Sequence, residues 1–218
     1  MLKIAHRGYT KYYEDNSLNA FHDAINYNFD MIELDIQLDK NNNIIIMHDN
    51  HINYTFIENM SYNEILQQYP NTLLLSTFFD KFDYSQIMLY FDLKGSEKLA
   101  EILHDFFKEN NINTEKIWLA SFNINHIDIL YKKNKNYNFG LITDNSFPLD
   151  IISYITLKYN IQFVCFHWSM LNKQTIQFLK ENNIKIFAYT LINDKQLSFI
   201  NKYNIDGIVS DILIKFEC

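Results

Sequence analysis

Two cysteines in 218 residues are too few for a disulfide framework in a chain of this size, and a reducing compartment, hence a cytoplasmic location, is the expectation. No run of about 18 apolar residues occurs, which excludes a helix that crosses a bilayer. The first apolar stretch starts at Leu2 and reads as a strand, so no secretory leader is expected. With Cys218 at the final position, no C-terminal prenylation is expected. Positive charge is also in deficit: 19 Lys and Arg stand against 26 Asp and Glu, a net charge of -7. The basic residues are scattered rather than gathered into a stripe, and nucleic acid is excluded as a partner. Internal repeats are missing, and the Asn-rich patches, such as 41–43, read as loop filler.

What the chain does have is apolar mass. At 48% hydrophobic residues it holds enough for one large core, and residues 1–218 read as a single domain. Short apolar or β-branched runs occur at 2–6, 31–36, 43–49, 87–94, 117–122, 138–143, 163–168, 184–190 and 207–211. Most are separated by stretches of helical spacing, at 17–27, 96–110, 125–133, 148–159, 173–182 and 194–203, with Ser17, Ser96, Asn125 and Asp194 as candidate N-caps. That alternation predicts an α/β fold with a parallel sheet, and eight such strands close a (β/α)8 TIM barrel, compact for a fold of typically ~250 residues.

One run is left over. Runs 31–36 and 43–49 lie too close for a parallel crossover, which needs about a dozen residues, so the second strand should turn back in a hairpin. With the turn centred near Lys40 and Asn41, Glu33 falls opposite His48. Segment 50–86 is then a short insertion without a clear barrel role, carrying one helical pattern, SYNEILQQY, and several aromatic residues.

In such a barrel chemistry sits at the C-terminal ends of the strands. The first run ends in His6 and Arg7, with Gly8 letting the backbone turn. The second offers Glu33 and Asp35, two apart and so on one face. The hairpin brings His48 and Asp49, and the next strand Asp92 and Lys94. Carboxylates at Glu33, Asp35 and Asp92 would repel one another unless a cation sits among them, and oxygen donors suit a single divalent ion such as Ca2+ or Mg2+. His6 and His48, as imidazoles at the same rim, suit acid and base roles, while Arg7 and Lys94 beside a metal suit a phosphate.

HRG after a first strand, IELDIQLDKNNNIIIMHD, then YFDLK, with SF at 121–122, YTLIN at 189–193 and DGIVSD at 206–211, resembles the glycerophosphodiester phosphodiesterases of the phospholipase C-like phosphodiesterase superfamily. The family pattern runs HRG, P-E-N-T, E-L-D, H-D, E-x-K, and the order and spacing agree over the whole chain. The resemblance implies metal ligation by Glu33, Asp35 and Asp92, catalysis by His6 and His48, and phosphate or substrate contacts from Arg7, Lys94 and Tyr189. It implies hydrolysis of glycerophosphodiesters such as glycerophosphocholine or glycerophosphoethanolamine to glycerol 3-phosphate and an alcohol.

Three motifs depart from the pattern. Asp92 replaces the usual Glu and is shorter by a methylene. EDNS replaces P-E-N-T, with Asp15 and Asn16 expected to support the groups that touch substrate and metal, and Ser17 still capping its helix. Tyr189 stands where a tryptophan is usual. Two other functions compete. The same site would serve a lysophospholipase D or sphingomyelinase D-like phospholipase acting on lysophospholipids, especially if Tyr54, Phe56, Met60 and Tyr62 formed an apolar lip rather than packing the insertion onto the barrel. A barrel that had lost catalysis would bind phosphorylated metabolites or a protein partner, which the intact pair His6 and His48 argues against.

Overall fold

The computed structural model describes residues 1–214; Cys218 lies outside them. Eight parallel strands form the barrel: Leu2–Ala5, Met31–Leu38, Met88–Leu93, Ile117–Ser121, Asn138–Thr143, Ile161–His167, Lys185–Leu191 and Gly207–Ser210. Each pairs with the next, and the first pairs with both the second and the last, so the sheet closes on itself.

Alternation of side chains along each strand creates two cores. Outward residues such as Ile32, Leu34, Ile36, Leu89, Phe91 and Leu93 pack against the surrounding helices. Inward residues fill the barrel, with Ile4, Met31, Tyr90, Phe163 and Phe187 at its base. Two of the chain's four glycines make that filling possible. A Cβ on Gly140 would lie 2.1 Å from the Phe163 ring, and one on Gly207 would lie 2.7 Å from the Phe187 ring. Removing a ring of this size from a core costs about 3–5 kcal/mol, so this aromatic plug is a principal source of rigidity under the mouth.

Helices Leu18–Asn26, Lys98–Glu109, Ile124–Lys133, Leu149–Lys158, Lys173–Glu181 and Asp194–Ile200 appear where the spacing predicted them. Ser17 caps the first as expected, accepting from the Ala20 amide. Three expected caps move. Asn123 rather than Asn125 caps its helix, Asn193 rather than Asp194 caps the last, and Glu97 rather than Ser96 stands at the N-cap position. In the first two cases the residue just upstream is an asparagine with extended backbone, the geometry a cap needs.

The insertion contains more structure than its sequence suggested. Helix Leu75–Lys81 presses Leu75 and Phe78 into the outer core, where Phe78 meets Phe21 edge-on at 5.4 Å. It therefore occupies the outer layer between the second and third barrel strands. Met60 and Tyr62 pack onto a small satellite cluster of Ile45, Met47, Ile52, Ile57 and Ile65.

The hairpin forms, with Ile44–Ile46 running antiparallel to the second strand, but one residue out of the expected register. Ile36 pairs with Ile46, Gln37 with Ile45 and Leu38 with Ile44, so the turn centres on Asn41 and Glu33 does not face His48. The reason is local. Asp39 accepts from the amides of both Asn41 and Asn43, and Asn42 takes a left-handed φ of +65°, which adds one residue to the turn.

Candidate active site

The strand period places Met31, Glu33 and Asp35 in one inward column and Tyr90 and Asp92 in the next. Strand register then sets Asp35 beside Asp92 and Glu33 beside Tyr90. One oxygen from each of Glu33, Asp35 and Asp92 lies within 4.8 Å of the others. All three are buried, at 4%, 1% and 6% exposure, directly above the aromatic plug. Burial pushes the Glu33 carboxyl well above its ordinary range, and the neighbouring Asp35 and Asp92 push it further. Burial likewise lifts Asp92, to about 7, against the pull of Lys94. Burial would lift Asp35 too, but Lys94, Arg7, His48 and the Asn16 hydrogen bond outweigh it and hold that carboxyl below its ordinary value.

This donor set fits a hard divalent cation. Asp92 Oδ2 accepts from Lys94 Nζ at 2.6 Å, while Asp92 Oδ1 is buried with no hydrogen-bond partner. A buried carboxylate oxygen without a partner is costly, and a cation among the three carboxylates would satisfy it. Charge gives a second reason. Burial and mutual repulsion make it costly for all three carboxylates to ionise together, and a divalent ion among them would relieve that cost and, with Arg7 and Lys94, present net positive charge to a phosphate.

Arg7 stands at a strained turn. Its φ is +56° and that of Gly8 is +84°, and a Cβ on Gly8 would come within 2.8 Å of Ala20. The turn points the Arg7 amide at Glu33 Oε2, 2.9 Å away, and its guanidinium at Asp15, whose Oδ2 accepts from Nη1 at 2.9 Å. Arg7 Nε lies 3.2 Å from Asp35 Oδ2, an ion-pair distance without hydrogen-bond alignment. Asn16 donates its side-chain amide to the same Asp35 oxygen at 3.0 Å. Asp15 and Asn16 thus contact Arg7 and Asp35 respectively. Lys94 Nζ bridges Asp92 and Asp35, the latter at 3.2 Å.

His48 reaches the cavity by a route the sequence did not reveal. The ladder stops at Ile46, the chain bends, and Gln37 Nε2 donates to the carbonyls of Met47 and Asp49, both at 2.8 Å, bracketing His48. His48 Nδ1 lies 2.9 Å from Asp49 Oδ1. His6 Nδ1 lies 2.6 Å from Asp211 Oδ1. A carboxylate on Nδ1 fixes the tautomer and leaves Nε2 as the nitrogen available for proton transfer.

His6, Arg7, Glu33, Asp35, His48, Asp92, Lys94 and Tyr189 all line one cavity of about 140 Å³. Its neutral wall is aromatic: Tyr189 meets Phe122 edge-on at 5.9 Å, and Lys94 Nζ sits 5.3 Å from the Phe122 ring centre. His167 lies behind Tyr189 and bonds Ser169 Oγ, so it stays outside the lining. Tyr54, Phe56, Met60 and Tyr62 are also outside it. Sequence reasoning missed Asp211, Gln37 and Phe122. Each carried a usable signal: Asp211 ends the DGIVSD motif, Gln37 shares the inward face of Glu33 and Asp35, and Phe122 ends the SF pair.

Comparison with known proteins bears on the family and the fold. Residues 6–166 match the model of the Glycerophosphoryl diester phosphodiesterase family. A glycerophosphodiester phosphodiesterase of Caldanaerobacter subterraneus subsp. tengcongensis is 24% identical over 96% of this chain and 93% of its own. The crystal structure of a glycerophosphodiester phosphodiesterase from Thermotoga maritima superposes with a TM-score of 0.81 at 20% identity, covering 98% of this chain and 95% of that one. A phosphodiesterase of Oleispira antarctica, solved with the product sn-glycerol-3-phosphate, superposes with a TM-score of 0.83 at 18% identity, covering 97% and 93%.

Proposed function

The chain belongs to the glycerophosphoryl diester phosphodiesterase family and is a phosphoric diester hydrolase, and from that premise we propose that it splits glycerophosphocholine, glycerophosphoethanolamine and similar diesters into glycerol 3-phosphate and an alcohol. The observation that carries this reading is a single cavity with three buried carboxylates at its floor, two fixed cations above them, and a carboxylate-backed histidine from each of two separate strand ends.

In this reading Glu33, Asp35 and Asp92 hold one divalent cation, Ca2+ or Mg2+, which supplies Lewis-acid charge to the phosphate oxygens when bound. Arg7 and Lys94 bind the phosphate. His6 removes the proton from the substrate hydroxyl beside the diester; that oxygen attacks phosphorus, and the bond from phosphorus to the leaving alcohol breaks. His48 gives its proton to the departing oxygen. The resulting cyclic phosphate is opened by water, with His48 taking the proton from water and His6 returning one to the ring oxygen. Asp211 and Asp49 stabilise the imidazolium forms. Tyr189 and Phe122 pack against the glycerol side.

A second reading places a lysophospholipid in the same site. Phe122, 45% exposed in the aromatic wall of the cavity, is the observation that favours it, since an acyl chain on the glycerol side would leave past it. The described residues include no helix long and apolar enough to cross a membrane. The reading takes residues 1–218 as one catalytic domain, and a cytoplasmic location accords with the free, buried thiol of Cys165.

Incubation with glycerophosphocholine or lysophosphatidylcholine, in Ca2+, Mg2+ or EDTA, tests the proposal. Metal-dependent glycerol 3-phosphate from the first supports it. Choline released faster from the lysophospholipid, with lysophosphatidic or cyclic phosphatidic acid, selects the second reading. No product from either, with a metal that still raises the melting temperature, leaves a binding protein instead.

A further inference from the structure

We propose that helix Leu149–Lys158 is the contact through which two copies of this chain pair antiparallel, in a weak and reversible dimer. The inference stands apart from the reaction assigned to the barrel mouth, since no residue of this helix lines the catalytic cavity.

The helix is apolar on two opposite sides. Ile152 and Thr156 are buried, whereas Ile151, Tyr154 and Leu157 are 42%, 61% and 65% exposed. Among the described residues these three are the only large apolar side chains exposed on a helix; Tyr54, Phe122, Ile192 and the rest lie outside the helices. Spacings of three residues set them in one stripe, and a helix that is apolar all round is ordinarily covered all round.

The order of residues along the stripe indicates what covers it. Asp150, Ile151, Tyr154, Leu157 and Lys158 are all exposed, and at 3.6 residues per turn they lie within about 60° of Tyr154 around the helix axis. Their positions are symmetric about Tyr154, with opposite charges at the two ends. A second copy turned end for end about a two-fold axis at Tyr154 therefore sets Tyr154 against its own counterpart, Ile151 level with Leu157 of the second copy, and Asp150 level with Lys158 of the second copy. A parallel pair would set like charge against like at both ends, so charge selects the antiparallel arrangement. Lys158 Nζ already lies over the stripe, 5.4 Å from the Tyr154 ring centre. An acid at the start of the helix and a base at its end also suit the helix dipole, but the dipole gives no reason for the apolar stripe between them.

Three side chains exposed to this extent supply roughly a few hundred Å² per copy, less than the ~800 Å² per partner of a standard stable interface, so the dissociation constant is expected on the order of 100 µM. The helix follows strand Asn138–Thr143, and reversing one copy points the two barrel mouths in opposite directions and leaves both open.

Sedimentation equilibrium from about 5 to 500 µM tests the pairing. The mean mass of the wild type should rise from that of one chain, 26.2 kDa, toward that of two. Tyr154→Lys, which would put two like charges at the two-fold axis, should stay monomeric at every concentration with an unchanged melting temperature. Lys158→Glu sets carboxylate against carboxylate and should weaken pairing about fivefold or more. Exchanging both charges, Asp150→Lys with Lys158→Glu, should recover most of that loss, an outcome specific to antiparallel self-pairing. A wild type that remains one chain throughout overturns the proposal, and so does a dimer that persists in Tyr154→Lys, which would place the interface elsewhere. Failure of the double exchange to recover pairing lost in Lys158→Glu rejects the antiparallel arrangement. A monomeric wild type that floats with phosphatidylcholine vesicles, an association lost in Tyr154→Lys, gives the stripe to a lipid surface instead.

Discussion

The mouth of the barrel has two unlike halves. The first three strands end in His6, Arg7, Glu33, Asp35, Asp92 and Lys94, all charged or titratable, and the hairpin adds His48 over them. Strands Ile117–Ser121, Asn138–Thr143, Ile161–His167 and Lys185–Leu191 are followed or closed by Phe122, Thr143, His167 and Tyr189, which bring no fixed charge. Both halves contribute to one cavity, and in the proposed function they do different work: the first would hold the metal, the phosphate and the protons, while Phe122 and Tyr189 of the second would give the substrate a shape to lie against. Asp211 crosses between them, bringing a carboxylate from the last strand to His6 on the first.

Removing a proton carrier from the charged half should have the largest effect. His48→Ala is expected to lower kcat by about 10²- to 10⁴-fold, with the metal-induced rise in melting temperature unchanged. A variant that keeps wild-type kcat would end the paired-histidine account. Next comes the metal itself. Asp92→Asn removes one of three anionic donors, and calorimetric titration should show metal affinity weakened by about tenfold or more; undiminished affinity would remove Asp92 from the ligand set.

The same carboxylates predict a pH dependence. In metal-free protein burial holds Asp92 up to about 7 and Glu33 well above its ordinary range, so both have folded-state values above those of the unfolded chain. Their contribution to stability is complete below about pH 4 and is lost as pH rises through about 7. Asp35, held below its ordinary value, opposes this only in strong acid. Melting in EDTA should therefore move to lower temperature between pH 5 and about pH 8, and the stabilisation by added metal should grow over the same interval. A flat profile in EDTA would mean the three carboxylates are better solvated than their burial implies.

The crossing residue and the neutral half should give smaller changes. Asp211→Asn is expected to lower kcat by roughly tenfold without changing the melting temperature, because His6 loses its fixed tautomer and the charge that supports its imidazolium. Phe122→Ala should raise KM only a few-fold and leave kcat nearly intact, since the ring contributes contact area and no proton or charge. If Phe122→Ala instead cost as much kcat as Asp211→Asn, the division between the two halves would fail.

Most of the charged half was legible before any coordinates. Strand runs and helical spacing determined the barrel, and spacings of two placed Glu33 with Asp35 and Asp92 with Lys94 on common faces, because side chains alternate along any strand. HRG at a strand end announced the turn that aims Arg7. Helix Leu75–Lys81 was hidden in LLLSTFFDK, where Leu75, Phe78 and Phe79 keep a helical spacing over barely two turns that the adjoining Leu73 and Leu74 mask, and its place is fixed by Phe21 and the outer core.

The remaining features were decided by tertiary structure. His6 and Asp211 are 205 positions apart, and only closure of the barrel makes them neighbours. The hairpin register depended on how many amides Asp39 could cap, and the position of His48 on two hydrogen bonds from Gln37. Local pattern sets which face of a strand a side chain occupies, whereas the distance between two faces is set only once the whole sheet has closed and packed.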